Sequence, residues 1–179
     1  MSSLRAAILI FALALAGCAS GPSGNAAVPQ PSKAVDLERY LGRWYELARY
    51  ENRFERGCEG VTAEYSQRPD GMISVLNTCR DSAPDGKARA AEGKAKVVEG
   101  SQGAKLKVAF FGPFFADYWV LDRAEDYSWA IVGEPSGKYL WILSRDPTPG
   151  EAVIETHIAR AAALGYDTAL IRRVKQPPA

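Results

Sequence analysis

An all-β fold with one late helix is the architecture this sequence predicts, on three observations. From Trp44 to Arg145, apolar and polar residues alternate in about eight short runs at even spacing, as antiparallel strands do. Near the C-terminus the period changes to that of a helix. The first run, "GRWYELARY" (Gly42 to Tyr50), has two dissimilar faces, neither cleanly polar. That is expected of a sheet that closes on itself and is covered outside. The pattern alone fits a sandwich or an up-and-down barrel.

The runs follow in order. "VTAEYSQRPDGMISVLNTC" reads as a hairpin around Pro69-Asp70-Gly71, with Val61, Ala63 and Tyr65 alternating against Thr62, Glu64 and Ser66. "AAEGKAKVVE", "KLKVAFF", "YWVLD", "SWAIVG" and "YLWILSR" complete the set. Lys94, Lys96, Lys105 and Lys107 form a basic face that reads as solvated surface. "TPGEAVIETHIARAAALGYD" then places Val153, Ile154, Ile158, Ala161, Ala162 and Leu164 at helical spacing. Glu151 and Glu155 come early and Arg160 late, as the helix dipole favours, and Gly165 suits the C-terminal cap. Such a helix needs an apolar surface, and the outside of the sheet near Leu47 offers one. His157 reads as a surface residue of this helix. A last strand is expected near Ile171 to Val174.

The N-terminus is not part of the fold. Residues 1–17 carry Arg5 and then "AAILIFALALAG", the layout of a secretory signal and short for a membrane span. The run ends in "LAGC", which resembles a bacterial lipobox. That resemblance implies cleavage before Cys18 and acylation of Cys18 on its thiol and amino group, a multi-chain anchor that holds stably. Ala19 after it, in place of Asp, implies the outer membrane. Residues 18–34, rich in Gly, Pro, Ser and Ala, read as a flexible tether. Residues 35–179 suffice for one domain. Charge is nearly balanced, with 22 Lys+Arg against 21 Asp+Glu and no basic block, so nucleic acid is not an expected partner. With Cys18 used, Cys58 and Cys79 remain. In an oxidising compartment they are candidates for a disulfide across the hairpin's open ends, with a catalytic cysteine as the rival. One histidine in the chain builds no conventional metal cluster or triad, and neither metal nor cofactor is expected.

Gly42-Arg43-Trp44-Tyr45 resembles the first signature of the lipocalin family. Asp126-Tyr127 falls where its weaker second signature would, with Glu125 in place of the usual threonine. Arg145, closing "YLWILSRDP" before the helix, resembles the third. "RFERGCEGVTAEYS", "FFGPF" and "LWILSRDP" are similar to its bacterial outer-membrane branch, related to apolipoprotein D. The resemblance implies an eight-stranded antiparallel up-and-down β-barrel with the C-terminal helix packed outside. It also implies that Gly42, Trp44, Asp126, Tyr127 and Arg145 serve the fold, with Trp44 plugging the closed end beneath the Arg145 guanidinium.

Parity from Trp44 and Arg145, with the family's register, turns a set of side chains inward. Glu46, Ala48, Tyr50, Ala63, Tyr65, Val75, Asn77, Val108, Phe110, Tyr118, Val120, Tyr139 and Trp141 are the expected cavity wall. Leu106, Ala130, Val132 and Leu143 also face in. The small residues among them leave room for a ligand. The expected function is binding of fatty acids or lysophospholipids, for lipid storage or transport at the cell envelope, with the membrane engaged through the N-terminal lipid anchor and no chemistry performed. An enzyme on an apolar substrate would need Glu46 or a reduced Cys79, and a paired acid and base in the cavity; one inward carboxylate is clear. A structural lipoprotein with a filled barrel is the third reading. The sequence leaves the oligomeric state open, a homodimer included.

Overall fold

The computed structural model describes residues 24–178; the signal segment 1–17 and Cys18 lie outside the described residues. The alternating runs form β1 (Gly42–Tyr50), β2 (Cys58–Gln67), β3 (Ile73–Asp81), β4 (Ala88–Val97), β5 (Lys105–Ala109), β6 (Ala116–Arg123), β7 (Trp129–Gly133) and β8 (Leu140–Ser144). Each pairs with the next, and β1 pairs antiparallel with both β8 and β2, which closes the sheet into an eight-stranded barrel. A further strand, β9 (Ile171–Arg173), pairs with β1 at Ala48–Tyr50. A short helix α1 (Leu37–Tyr40) precedes β1, and α2 (Glu151–Ala163) follows β8.

The connections define two ends. The β2–β3, β4–β5 and β6–β7 turns lie with α1 at the closed end. The β1–β2, β3–β4, β5–β6 and β7–β8 loops form the open rim. The hairpin expected at Pro69-Asp70-Gly71 is present: Arg68 donates its N–H to Met72 O at 2.9 Å, and Gly71 takes φ +79, which glycine tolerates without strain. Cys58 and Cys79 are bridged, with Cα atoms 5.3 Å apart.

Apolar burial falls into two main clusters separated by the barrel wall. The inner one gathers Trp44, Tyr65, Val75, Leu106, Val120, Ala130, Val132 and Leu143. The outer one gathers Leu47, Leu121, Ile131, Leu140 and Ile142 beneath Ile154, Ile158, Ala161 and Leu164 of α2. The helix therefore lies outside, on the surface near Leu47. Its buried stripe differs from the one expected: Val153 and Ala162 face solvent, and His157 is buried. His157 sits three residues after Ile154 and four before Ala161, on the face that meets the sheet, and its ring lies 4.9 Å from that of Trp129. The expectation of a surface histidine is corrected accordingly.

Of the tether expected over 18–34, residues 24–34 are described. From Gly24 the chain is docked against the barrel. Asn25 donates Nδ2–H to Leu164 O (2.8 Å), and Arg123 donates to Ala34 O (2.7 Å).

Candidate functional site: the barrel interior

The closed end is built around Trp44, which is fully buried and donates Nε1–H to Tyr40 O at 2.8 Å. The Arg145 guanidinium covers its ring at 3.8 Å and donates to the carbonyls of Arg39, Tyr40, Leu41 and Arg43. Gly42, beside the guanidinium, takes φ +88, which glycine adopts without strain. Tyr127, at φ +63, accepts the Asp36 N–H on its hydroxyl, and its ring lies under both Arg39 and Arg123. Asp126 accepts the Ser128 N–H and shapes that turn. Above this floor, the hydroxyls of Tyr40, Tyr118 and Tyr65 are linked, at 2.7 and 2.9 Å. Burial raises all three above the ordinary phenol value, Tyr65 to about 12, so they stay protonated.

Cross-strand register sets the wall. Trp44 opposes Ala63, Ala63 opposes Asn77, and Tyr65 opposes Val75. Leu106 opposes Tyr118, Val120 opposes Val132, and Val132 opposes Trp141. Ala63, Val108, Phe110, Tyr118 and Trp141 pack against the inner cluster while keeping partial solvent exposure. Phe110 reaches across Gly93, where a Cβ would meet its ring at 2.8 Å. Asn77 Oδ1 is buried with no hydrogen-bond partner among the described residues. Tyr139 stands at the rim, its ring stacked 5.7 Å from Trp141 and 6.3 Å from Phe54.

Two expected wall residues are not there. Ala48 and Tyr50 belong to the outer cluster. The β1–β8 register shifts between Glu46 and Ala48, a β-bulge that turns both Leu47 and Ala48 outward and reverses the parity beyond them. Tyr50 donates its hydroxyl to Asp167 O (2.8 Å) and packs edge-on against Tyr166. Arg49 takes the inward place instead.

Arg49 changes the chemistry of the upper wall. It is fully buried, donates Nη1–H to Glu46 Oε1 at 2.8 Å, and donates Nη2–H to Glu55 O and Cys58 O. Its Nε is unpartnered among the described residues. Burial pushes the Glu46 carboxyl well above the usual carboxylate range, the neighbouring Glu55 adds to this, and Arg49 opposes it. Glu55, from the β1–β2 loop, accepts Trp141 Nε1–H at 2.9 Å and is also bonded by Asn52. The site thus holds two carboxyls where the sequence made one legible, and each is engaged by a named donor. Three residues of the lysine face are engaged too: Lys107 pairs with Asp117 (2.8 Å), and Lys105 and Lys96 lie over Trp119 and Phe115. No group of three or more His, Cys, Asp or Glu suited to a metal occurs among the described residues.

The lipocalin-like domain family matches residues 35–176. The chain is 44% identical over 176 residues to the outer membrane lipoprotein Blc of Vibrio cholerae, covering 97% of this chain and 99% of that one. It is 44% identical over 156 residues to Blc of Escherichia coli, covering 83% and 87%. Apolipoprotein D of Rattus norvegicus is 39% identical over 134 residues, covering 69% and 68%. Among solved structures, insecticyanin from Manduca sexta shares the fold with a TM-score of 0.66 at 21% identity, over 83% of this chain and 84% of that one. A closed barrel with an external helix, a Trp–Arg-sealed floor and these identities make the chain a member of the lipocalin-like family.

Proposed function

We propose that this protein is an outer-membrane lipocalin, anchored through acylated Cys18 on the periplasmic side, that holds fatty acids or lysophospholipids in its barrel for lipid storage or transport. The observation that carries the reading is the upper wall: apolar side chains turned inward yet still partly exposed, above a sealed floor. The relatives named outer membrane lipoprotein support the location. An acyl chain entering that space gains about 0.8 kcal/mol per buried CH₂, which offsets the ordering cost of binding once the chain is long. Asn77 is the proposed polar contact, offering a free acceptor, and Trp141 is the proposed apolar one, its indole N–H held by Glu55. No catalysis is proposed: Glu46 is held by Arg49, and Glu55 by Trp141 and Asn52.

Native mass spectrometry of the protein purified from its own membranes tests this. The expected result is a folded species carrying an acyl lipid that dissociates intact. A bare polypeptide that also takes up no added lipid would contradict it.

A further inference from the structure

The N-terminal arm climbs the outside of the barrel, and the place where it ends constrains how an anchored barrel can stand. Next to α1 it is tied to the closed end. Val35 N–H donates to Gln102 O (2.9 Å) in the β4–β5 turn, and Lys33 Nζ donates to Arg123 O (2.9 Å) at the end of β6. Val28 joins the outer cluster under α2. At the far end, Gly24 O accepts from Asp167 N–H (2.8 Å) and from the hydroxyl of Tyr50, the last residue of β1. The Asn25 carbonyl lies against Gly137 in the β7–β8 loop. The described part of the arm therefore begins at the open rim.

Cys18 precedes Gly24 by six residues. Six residues reach at most about 20 Å however they fold. A ten-residue strand such as β2 is about 33 Å long and rises about 25 Å along a barrel axis at the usual tilt, before turns are added. Counted from the rim, that reach does not extend past the closed end, so the closed end cannot be the face held to the bilayer.

The rim itself selects between standing and lying. Among the described residues, Phe54, Phe111, Phe114 and Leu170 are exposed large apolar side chains at this end, with Phe111 and Phe114 exposed by 77% and 81%. Phe111 and Phe114 flank Gly112-Pro113 in the β5–β6 loop, which carries no charge from Phe110 to Ala116. Around them Arg53 and Arg56 balance Glu51 and Glu55, and Lys138 balances Glu134. Exposed aromatics clustered on uncharged loop tips suit the interface of a lipid bilayer. The other exposed large apolar residues, Val97 and Val153, stand singly.

We propose that the protein docks mouth-down on the lipid bilayer, with Phe54, Phe111 and Phe114 dipping into the membrane interface so that the barrel opening faces the lipid surface. This rests on the anchor and lipid-binding reading above. It gives an acyl lipid a route between bilayer and barrel that avoids bulk water.

The test uses the processed, acylated protein on vesicles of phosphatidylethanolamine and phosphatidylglycerol. A solvent-sensitive fluorophore is placed on Phe111→Cys, on Phe114→Cys and, at the closed end, on Glu99→Cys, the native pair being bridged. The labels at 111 and 114 should shift to the blue and lose emission to lipids brominated in their acyl chains, while the label at 99 keeps its emission in water. A label at 99 that is quenched, or labels at 111 and 114 that stay water-like, overturns the orientation. Mass analysis separates the two failures. An unacylated Cys18 overturns the anchor and the orientation together; an acylated, lipid-binding protein with 111 and 114 in water overturns the orientation alone. The Phe111→Ser/Phe114→Ser double variant should take up lipid from vesicles more slowly at unchanged affinity for lysophospholipid dispersed in water, and uptake at the wild-type rate counts against the proposal.

Discussion

Arg145 lies over the ring of Trp44, its guanidinium carbon 3.8 Å from the ring centroid, while it donates hydrogen bonds to four backbone carbonyls between Arg39 and Arg43. One side chain thus ties β8 to α1 and to the first residues of β1. A cation–π contact contributes about 0.5–2 kcal/mol, and without Arg145 the Arg39, Leu41 and Arg43 carbonyls lose this donor, while Tyr40 O keeps the Trp44 indole N–H. Trp44→Ala should cost about 3–5 kcal/mol, the usual range for truncating a buried aromatic. Arg145→Lys should recover only part of what Arg145→Ala loses, because an ammonium lacks the planar fork. Denaturant unfolding measures both. A variant that keeps wild-type stability but loses ligand would move these residues from the fold to the site.

The disulfide closes a loop with a sequence separation of 21. In the chain-entropy picture its removal costs about 3 kcal/mol. The Cys58→Ala/Cys79→Ala double variant should unfold at correspondingly lower denaturant with an unchanged spectrum. Thiol labelling of the denatured, unreduced wild type should modify neither residue; modification of both would revive a reactive cysteine.

The bulge in β1 makes a prediction that simple alternation does not. Tyr50 is outside, bonded to Asp167 and Gly24, so Tyr50→Phe should leave lipid affinity unchanged while loosening the arm, read as faster amide exchange at Asp167, whose N–H bonds to Gly24. Trp141→Ala should weaken lipid binding with the far-UV spectrum intact. Tyr50 proving the more sensitive of the two would reverse the assignment.

The strands and the late helix are legible in the sequence because alternation of period 2 and a switch to period 3.6 are local signals, whereas closure into a barrel, with the helix outside, is legible by resemblance. The signature residues Gly42, Trp44 and Arg145 are legible by resemblance. The upper wall is less so. Nothing in "WYELARY" marks the extra residue at Leu47–Ala48, because a bulge is fixed by the partner strand's register and not by residue type. That single slip exchanges Ala48 and Tyr50 for Arg49 and brings a buried ion pair to the wall. Glu55 was out of reach because it comes from a loop, where parity has no meaning. His157 could have been found: it falls on the i+3, i−4 positions between Ile154 and Ala161, and only its polarity argued against burial.

His157 carries the pH prediction. Burial against Trp129 lowers its pKa below the ordinary 6.5, and Arg160 pushes the same way. The folded state prefers the neutral ring, so this contribution is fully present above about pH 6.5 and is lost as pH falls through the folded-state value. The melting temperature of the wild type should therefore drop between about pH 7 and 5 more steeply than that of His157→Phe. Parallel profiles would show that the ring titrates as freely when folded as when unfolded.

The central claim is that lipid is held inside the barrel, and filling the barrel tests it most directly. Ala63 faces inward between Trp44 and Asn77 and is only partly buried, so Ala63→Trp should occupy the space above the floor. Calorimetric titration of delipidated wild type and variant with a lysophospholipid should give saturable binding to the wild type and none to a variant whose circular dichroism shows an intact barrel. Equal binding by both, or no binding by the wild type, would contradict the account.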